Sequence, residues 1–284
     1  MTFAPNQTHL GRSLRGSTRR LRLAAIGMVM AGVSGCSWIA MAGKESALSA
    51  TGRNGGDNFT FAGKIPAHFG LDVNPFYYPI DPQRSTCQRQ NVRGEWNARS
   101  YGTTHAVPIQ DTAHSFAVAL PLTYTVGLCT LRLTKIDLVI HAAHGDQAWQ
   151  RTSAPGHFRV TEALPEGVPG FNDQSTLSFT AECRWLFKQS EARSRFGELE
   201  KLLQCSATGT SLQYDQLPGK TVTLAIEVNP EEEPSHDETW IKFPNGWKPC
   251  AQESSGWRWC RNPPTFQTFQ MNGQTCTVYP GCTE

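Results

Sequence analysis

Apolar residues recur at every second position through much of the chain. Over 177–187, Leu177, Phe179, Ala181, Cys183, Trp185 and Phe187 fall on one face. Ser178, Thr180, Glu182, Arg184 and Lys188 fall on the other, with Leu186 the one apolar exception. A period of two over this length predicts a strand with one buried face. Val222, Leu224, Ile226 and Val228 repeat the pattern after a turn at Pro218-Gly219, and Phe116, Val118 and Leu120 do so within 114–122. Leu131 and Leu133, then Ile136, Leu138 and Ile140, keep the period but slip by one residue near Thr134-Lys135, which predicts a β-bulge in a long strand. Residues 66–83 mix four prolines with Phe69, Phe76, Tyr77 and Tyr78 and read as an extended segment. Ser194–Gln204 stays open between a short amphipathic helix and a strand returning beside 177–187. The fold class is therefore mainly β: an antiparallel, sandwich-like domain over 59–230.

Beyond Val228 the pattern breaks. Glu231-Glu232-Glu233-Pro234 reads as an acidic surface loop, and 240–284 holds four cysteines and four of the eight tryptophans among scattered Gly and Pro. Residues 231–284 are expected to form a loop-rich lobe stapled by its own disulfides and packed on the β domain.

The N-terminus has another character. Five arginines precede an 11-residue apolar run, Leu23–Val33, which is too short for a membrane-spanning helix and reads as an export signal over 1–35. Val33-Ser34-Gly35-Cys36 resembles the bacterial lipobox, which implies acylation of Cys36 and a membrane anchor through that lipid. Residues 36–58 then read as a flexible tether. Ser37 after the acylated Cys implies outer-membrane sorting, facing the periplasm. Removing 1–35 takes five of 26 basic side chains and none of 24 acidic ones, so the mature chain carries a net charge of about −3. That balance favours neither nucleic acid nor an anionic membrane face.

With Cys36 set aside, eight cysteines remain: Cys87, Cys129, Cys183, Cys205, Cys250, Cys260, Cys276 and Cys282. An even number in an exported chain without C-x-x-C spacing predicts four disulfides. Neighbours in sequence close the smallest loops, which selects Cys87–Cys129, Cys183–Cys205, Cys250–Cys260 and Cys276–Cys282.

Catalytic signatures are sparse. The mature chain has no G-x-S-x-G and no H-E-x-x-H, so no catalytic residue, metal set or cofactor is assigned. His141 and His144 would point to opposite faces of a continuing strand; a turn at Ala142 would instead let them converge with Asp146. Glu231, Glu232 and Glu233 are candidates for docking a basic partner. Trp247 and Trp257 are either lobe core or exposed interface anchors.

Glu182-Cys183-Arg184-Trp185-Leu186-Phe187, the stretch Asp215–Val222 and the stretch Trp240–Cys250 resemble a family of proteobacterial lipoproteins found with type VI secretion effectors. The likeness runs from about Gly63 to the C-terminus, on motifs of structural type. It implies action by protein binding and not as an enzyme, with a secreted, lipase-like effector as partner and an immunity protein as the function. A structural or assembly lipoprotein of the envelope is the alternative.

Overall fold

The computed structural model describes residues 52–206, 210–251 and 259–283. Arg53–Glu284 form one compact unit. The signal segment, Cys36 and Trp257 thus lie outside the described residues, as does most of the tether.

Among the described residues thirteen strands form the two sheets of the sandwich, and the ten longest are β1 (Asn58–Ile65), β2 (Phe69–Pro79), β3 (His114–Pro121), β4 (Thr123–Val126), β5 (Cys129–Ala143), β6 (Arg151–Thr161), β7 (Thr176–Gln189), β8 (Leu199–Cys205), β9 (Thr210–Gln213) and β10 (Thr221–Pro234). β5 is the spine of the first sheet. Along one edge it pairs with β2, and along the other with β4 and then β6. The register of β5 on β2 shifts between Leu133 and Lys135, so Leu133 and Ile136 both point inward, as the slipped pattern requires.

The second sheet runs β8-β7-β10-β1-β3. Its outer pairs, β7 with β8 and β1 with β3, are antiparallel. Its inner ladders, β7 with β10 and β10 with β1, are parallel. Periodicity reports which face a side chain takes and nothing about strand direction, so this mixture was not visible in the sequence. Gly63 lies where β1 meets β10; a Cβ there would sit 2.0 Å from the Leu224 carbonyl oxygen.

Phenylalanines join the two layers. Phe61 of β1 meets Phe158 of β6 at 5.8 Å between ring centres, and Phe158 meets Phe179 of β7 at 5.0 Å. Phe59, Phe61 and Phe158 are fully buried. Each contributes roughly 1.5–3 kcal/mol by leaving water.

Ser194–Gln204 resolves in favour of the strand. Only a three-residue 3-10 turn, Arg193–Arg195, precedes β8, and β8 returns antiparallel to β7 with Cys183 opposite Cys205. All four disulfides are the pairs that close the smallest loops: Cys87–Cys129, Cys183–Cys205, Cys250–Cys260 and Cys276–Cys282.

The acidic run requires a correction, because Glu231–Glu233 lie within β10 and not in a loop. Arg184 and Leu186 of β7 stand opposite Asn229 and Glu233, so β10 carries extra residues between them and bulges. Pro230 offers no N–H to the ladder there.

Two short hairpins form the C-terminal lobe, Trp240–Phe243 with Gly246–Pro249 and Phe269–Met271 with Gln274–Cys276. Phe187 and Leu199 of the sandwich cluster with Trp240, Phe269, Cys276 and Tyr279 of the lobe, and Trp247 packs against them. Gly246 has φ +134°, and a Cβ on it would meet the Tyr279 carbonyl oxygen at 2.1 Å. That position is closed to other residues.

Candidate functional site

β5 ends at Ala143, and the chain turns back into β6 through a tight loop. The His144 N–H donates to the Gln150 carbonyl at 3.0 Å, and the Gln147 N–H donates to Gln150 Oε1 at 3.0 Å. The start of β8 and the lobe segment 271–280 face this loop across a cleft of about 570 Å³. His144, Trp149, Glu198, Lys201, Asn272 and Tyr279 are among the residues lining it. A second cavity of about 540 Å³ opens on the other side of the loop, between His144, His68, Asp111 and Arg151.

His144 is the hinge of this arrangement. Its ring meets Trp149 at 6.0 Å and Trp185 at 5.7 Å, both edge to face. Burial pushes its pKa down, and the nearby Lys201 ammonium pushes the same way. The imidazole is therefore neutral at pH 7, and its Nε2 is buried without a hydrogen-bond partner. On the cleft's far wall Lys201 Nζ lies 2.7 Å from Glu232 and 5.6 Å over the Tyr279 ring. Tyr279 donates its hydroxyl to the other Glu232 oxygen. Burial foremost, then that carboxylate, raises the Tyr279 pKa far above its ordinary value.

Chemically, this is a pocket of polar groups around aromatic walls. No hydroxyl or thiol donates to His144 among the described residues, and all eight cysteines from Cys87 onward are bridged. Tyr279 stays protonated through the physiological range. Such groups can hold a ligand or a partner side chain by hydrogen bonds and ring contact.

The histidine pair splits between two environments. His141 Nε2 contacts Asp72 at 2.9 Å on the outer face of the first sheet, whereas His144 packs against Trp185 of the other sheet. Asp146 is exposed on the cleft rim. No group of three or more His, Cys, Asp or Glu that could hold a metal ion occurs among the described residues.

The three glutamates likewise have separate roles. Glu232 is held by Lys201 and Tyr279, and Glu233 pairs with Arg184 at 3.0 Å. Glu231 is exposed with no ion pair among the described residues, its N–H donating to Asn229 Oδ1 at 2.8 Å. Trp247 belongs to the lobe core, 6.0 Å from Phe187. Lys201, Tyr279 and Trp149 were missed, and nothing in the local sequence of Lys201 or Tyr279 marks them. The one usable signal was Trp149 five residues after His144 at a strand exit.

No family model matches this chain, no curated protein matches it, and no solved structure matches it.

Proposed function

We propose that this protein is a lipid-anchored, periplasm-facing lipoprotein of the outer membrane that acts by binding a protein partner. Its most concrete form is an immunity protein that occludes a secreted, lipase-like type VI effector. The carrying observation is the lipobox-like Val33–Cys36 at the end of a short apolar run, ahead of eight cysteines that pair completely. Complete pairing suits an oxidising compartment. The likeness of 63–284 to type VI immunity lipoproteins supplies the partner class.

The cleft supports a binding reading. Glu198 and Asp146 stand on its wall and rim, and Tyr279 of the same wall holds Glu232. Trp149 offers an apolar wall, with the Arg195 guanidinium 5.2 Å over its ring. A basic partner loop carrying one apolar anchor fits such a surface, and the stapled β scaffold would hold it rigid enough to block an active site sterically.

Labelling with a palmitate analogue tests the anchor: wild type takes label and Cys36→Ala does not. Co-expression with a phospholipase effector tests the function. Protection is expected when the protein is exported and lost when it stays in the cytoplasm, where the disulfides do not form. Labelled, exported protein that protects against no effector overturns the immunity reading in favour of an envelope-assembly role.

A further inference from the structure

Among the described residues, exposed large apolar side chains gather at one end of the sandwich, apart from Phe196 before β8 and Trp259 and Phe266 of the lobe. Ile80 is 59% exposed, Val92 72%, Trp96 64% and Leu128 76%. Ile80 follows β2 and donates its N–H to Thr130, beside the β4–β5 turn that carries Leu128. Val92 and Trp96 sit on a hairpin, Gln88–Gln90 with Trp96–Ala98, whose base is bridged to the start of β5 by Cys87–Cys129. Residues 92–97 are exposed without exception, so this hairpin stands off the body.

The hairpin and the residues flanking it are basic. Arg84, Arg89, Arg93 and Arg99 face only Asp81 and Glu95 within 81–99. Arg84, Arg89 and Arg93 are exposed and carry no ion pair among the described residues. A net acidic mature chain thus concentrates positive charge and a projecting tryptophan at one tip. Exposed Trp and aliphatic side chains among arginines match the chemistry of a membrane interface, where the rings seat at headgroup level and arginines meet anionic phosphates.

Where the chain enters the domain decides the occupant. Arg53 and Asn54 pair antiparallel with Thr125 and Tyr124 of β4, and β4 runs towards Leu128. The backbone preceding Arg53 therefore joins the domain at this tip. Sixteen residues, Ser37–Gly52, separate Cys36 from that point. Whatever their path, they reach at most about 55 Å.

We infer that the tip formed by Ile80, Val92, Trp96 and Leu128 with the hairpin arginines docks on an anionic lipid surface. The tether argument rests on the lipoprotein reading of Cys36, while the tip chemistry does not. Anchoring would make docking intramolecular, so a weak intrinsic affinity suffices. β5 spans 15 residues from Cys129 at the tip to Ala143 beside the cleft, roughly 45 Å at about 3.3 Å per residue. Docked in this way, the protein presents its cleft away from the membrane.

Two tryptophans make the test separable. The full chain is placed in phosphatidylethanolamine vesicles containing phosphatidylglycerol and brominated lipid, and quenching of tryptophan fluorescence is measured. The part lost on replacing Trp38, two residues after Cys36, by Phe reports the anchor, and the part lost in Trp96→Phe reports the tip. A Trp96 contribution is expected in the acylated protein and, at higher lipid, in the Cys36→Ala chain. Each arginine near an anionic surface should strengthen binding roughly fivefold. Replacing Arg84, Arg89 and Arg93 by Gln should thus weaken binding of the Cys36→Ala chain at least tenfold, and omitting phosphatidylglycerol should act likewise. No Trp96 contribution in either chain overturns the proposal whatever Trp38 shows. Trp96 shielded from aqueous acrylamide only by an added effector protein overturns it too, in favour of a protein interface.

Discussion

Tyr279 donates its hydroxyl to the Glu232 carboxylate and so ties the lobe's last turn to the second sheet of the sandwich. Lys201 completes the group with an ion pair to Glu232 at 2.7 Å, each side chain only 22% exposed. A half-buried carboxylate with two partners is costly to strip, because the groups left behind lose their compensation. Tyr279→Phe is expected to cost about 1–2 kcal/mol and Glu232→Gln about 2–3 kcal/mol. Urea unfolding of both single variants and the double variant checks this. Additive effects would show that the two side chains do not communicate.

The tyrosines also set an alkaline limit. Tyr77, Tyr279 and Tyr101 all have raised pKa values, chiefly through burial, and Tyr101 is pushed up to about 12. An unfolded tyrosine ionises near pH 10. The unfolded chain therefore loses these protons first. Their contribution to stability is complete below about pH 10 and is lost as pH rises towards 12 and beyond. Tyr101→Phe should flatten the first part of that decline, measured as the urea midpoint between pH 9 and 11.

His144 predicts the opposite dependence on the acid side. Burial and Lys201 lower its pKa, so the unfolded chain takes up this proton more readily than the folded one. Stability from a neutral His144 is present above about pH 6.5 and lost as pH falls through its depressed folded value. Glu232 and Glu200 oppose the shift and temper it. Between pH 7.5 and 5 the wild type should lose more stability than His144→Gln. Parallel pH profiles of the two proteins would contradict the placement of this ring between Trp149 and Trp185.

Much of the fold was legible because one face of each sheet is buried. The alternation in Leu177–Phe187, the slip at Thr134-Lys135 and the even cysteine count each report a local constraint, and each recurs in β7, β5 and the four bridges. Long-range partners were not legible. Glu232, Lys201 and Tyr279 come from β10, β8 and the lobe, and no spacing rule links residues 31 and 47 positions apart. The glutamate run misled because three like charges beside a proline suggest a solvated loop. Arg184, Lys201 and Tyr279 instead hold two of the three against the sheet at a bulge. The basic tip was hidden for a related reason: net charge averages over the whole surface, while 84–99 gathers its arginines on one hairpin and its flanks.

The disulfides should differ in weight. Cys87–Cys129 closes a separation of 42 residues and Cys276–Cys282 one of only 6. On the chain-entropy account the longer closure contributes about 4 kcal/mol and the shorter about 2 kcal/mol. Paired Cys→Ala variants should follow that order in urea midpoint. The Cys276/Cys282 pair carries a second expectation, because its loop positions Tyr279. Its removal should abolish most of the additional effect of Tyr279→Phe.

Partner association offers the last expectation. Glu231 is exposed and unpaired among the described residues, whereas Glu232 and Glu233 are engaged by Lys201, Tyr279 and Arg184. Replacing all three together would mix a change of surface charge with a change of stability. Glu231→Gln alone removes one exposed charge and leaves the lobe seam intact. Against a basic partner it should slow association a fewfold, with little change in dissociation, and the difference should shrink as salt is raised. Glu232→Gln should instead lower the unfolding midpoint and speed dissociation, since it loosens the wall that Tyr279 and Lys201 share. Surface plasmon resonance at two salt concentrations separates the effects. An equal change in dissociation for both variants would place Glu231 within the buried part of the interface and not on its rim.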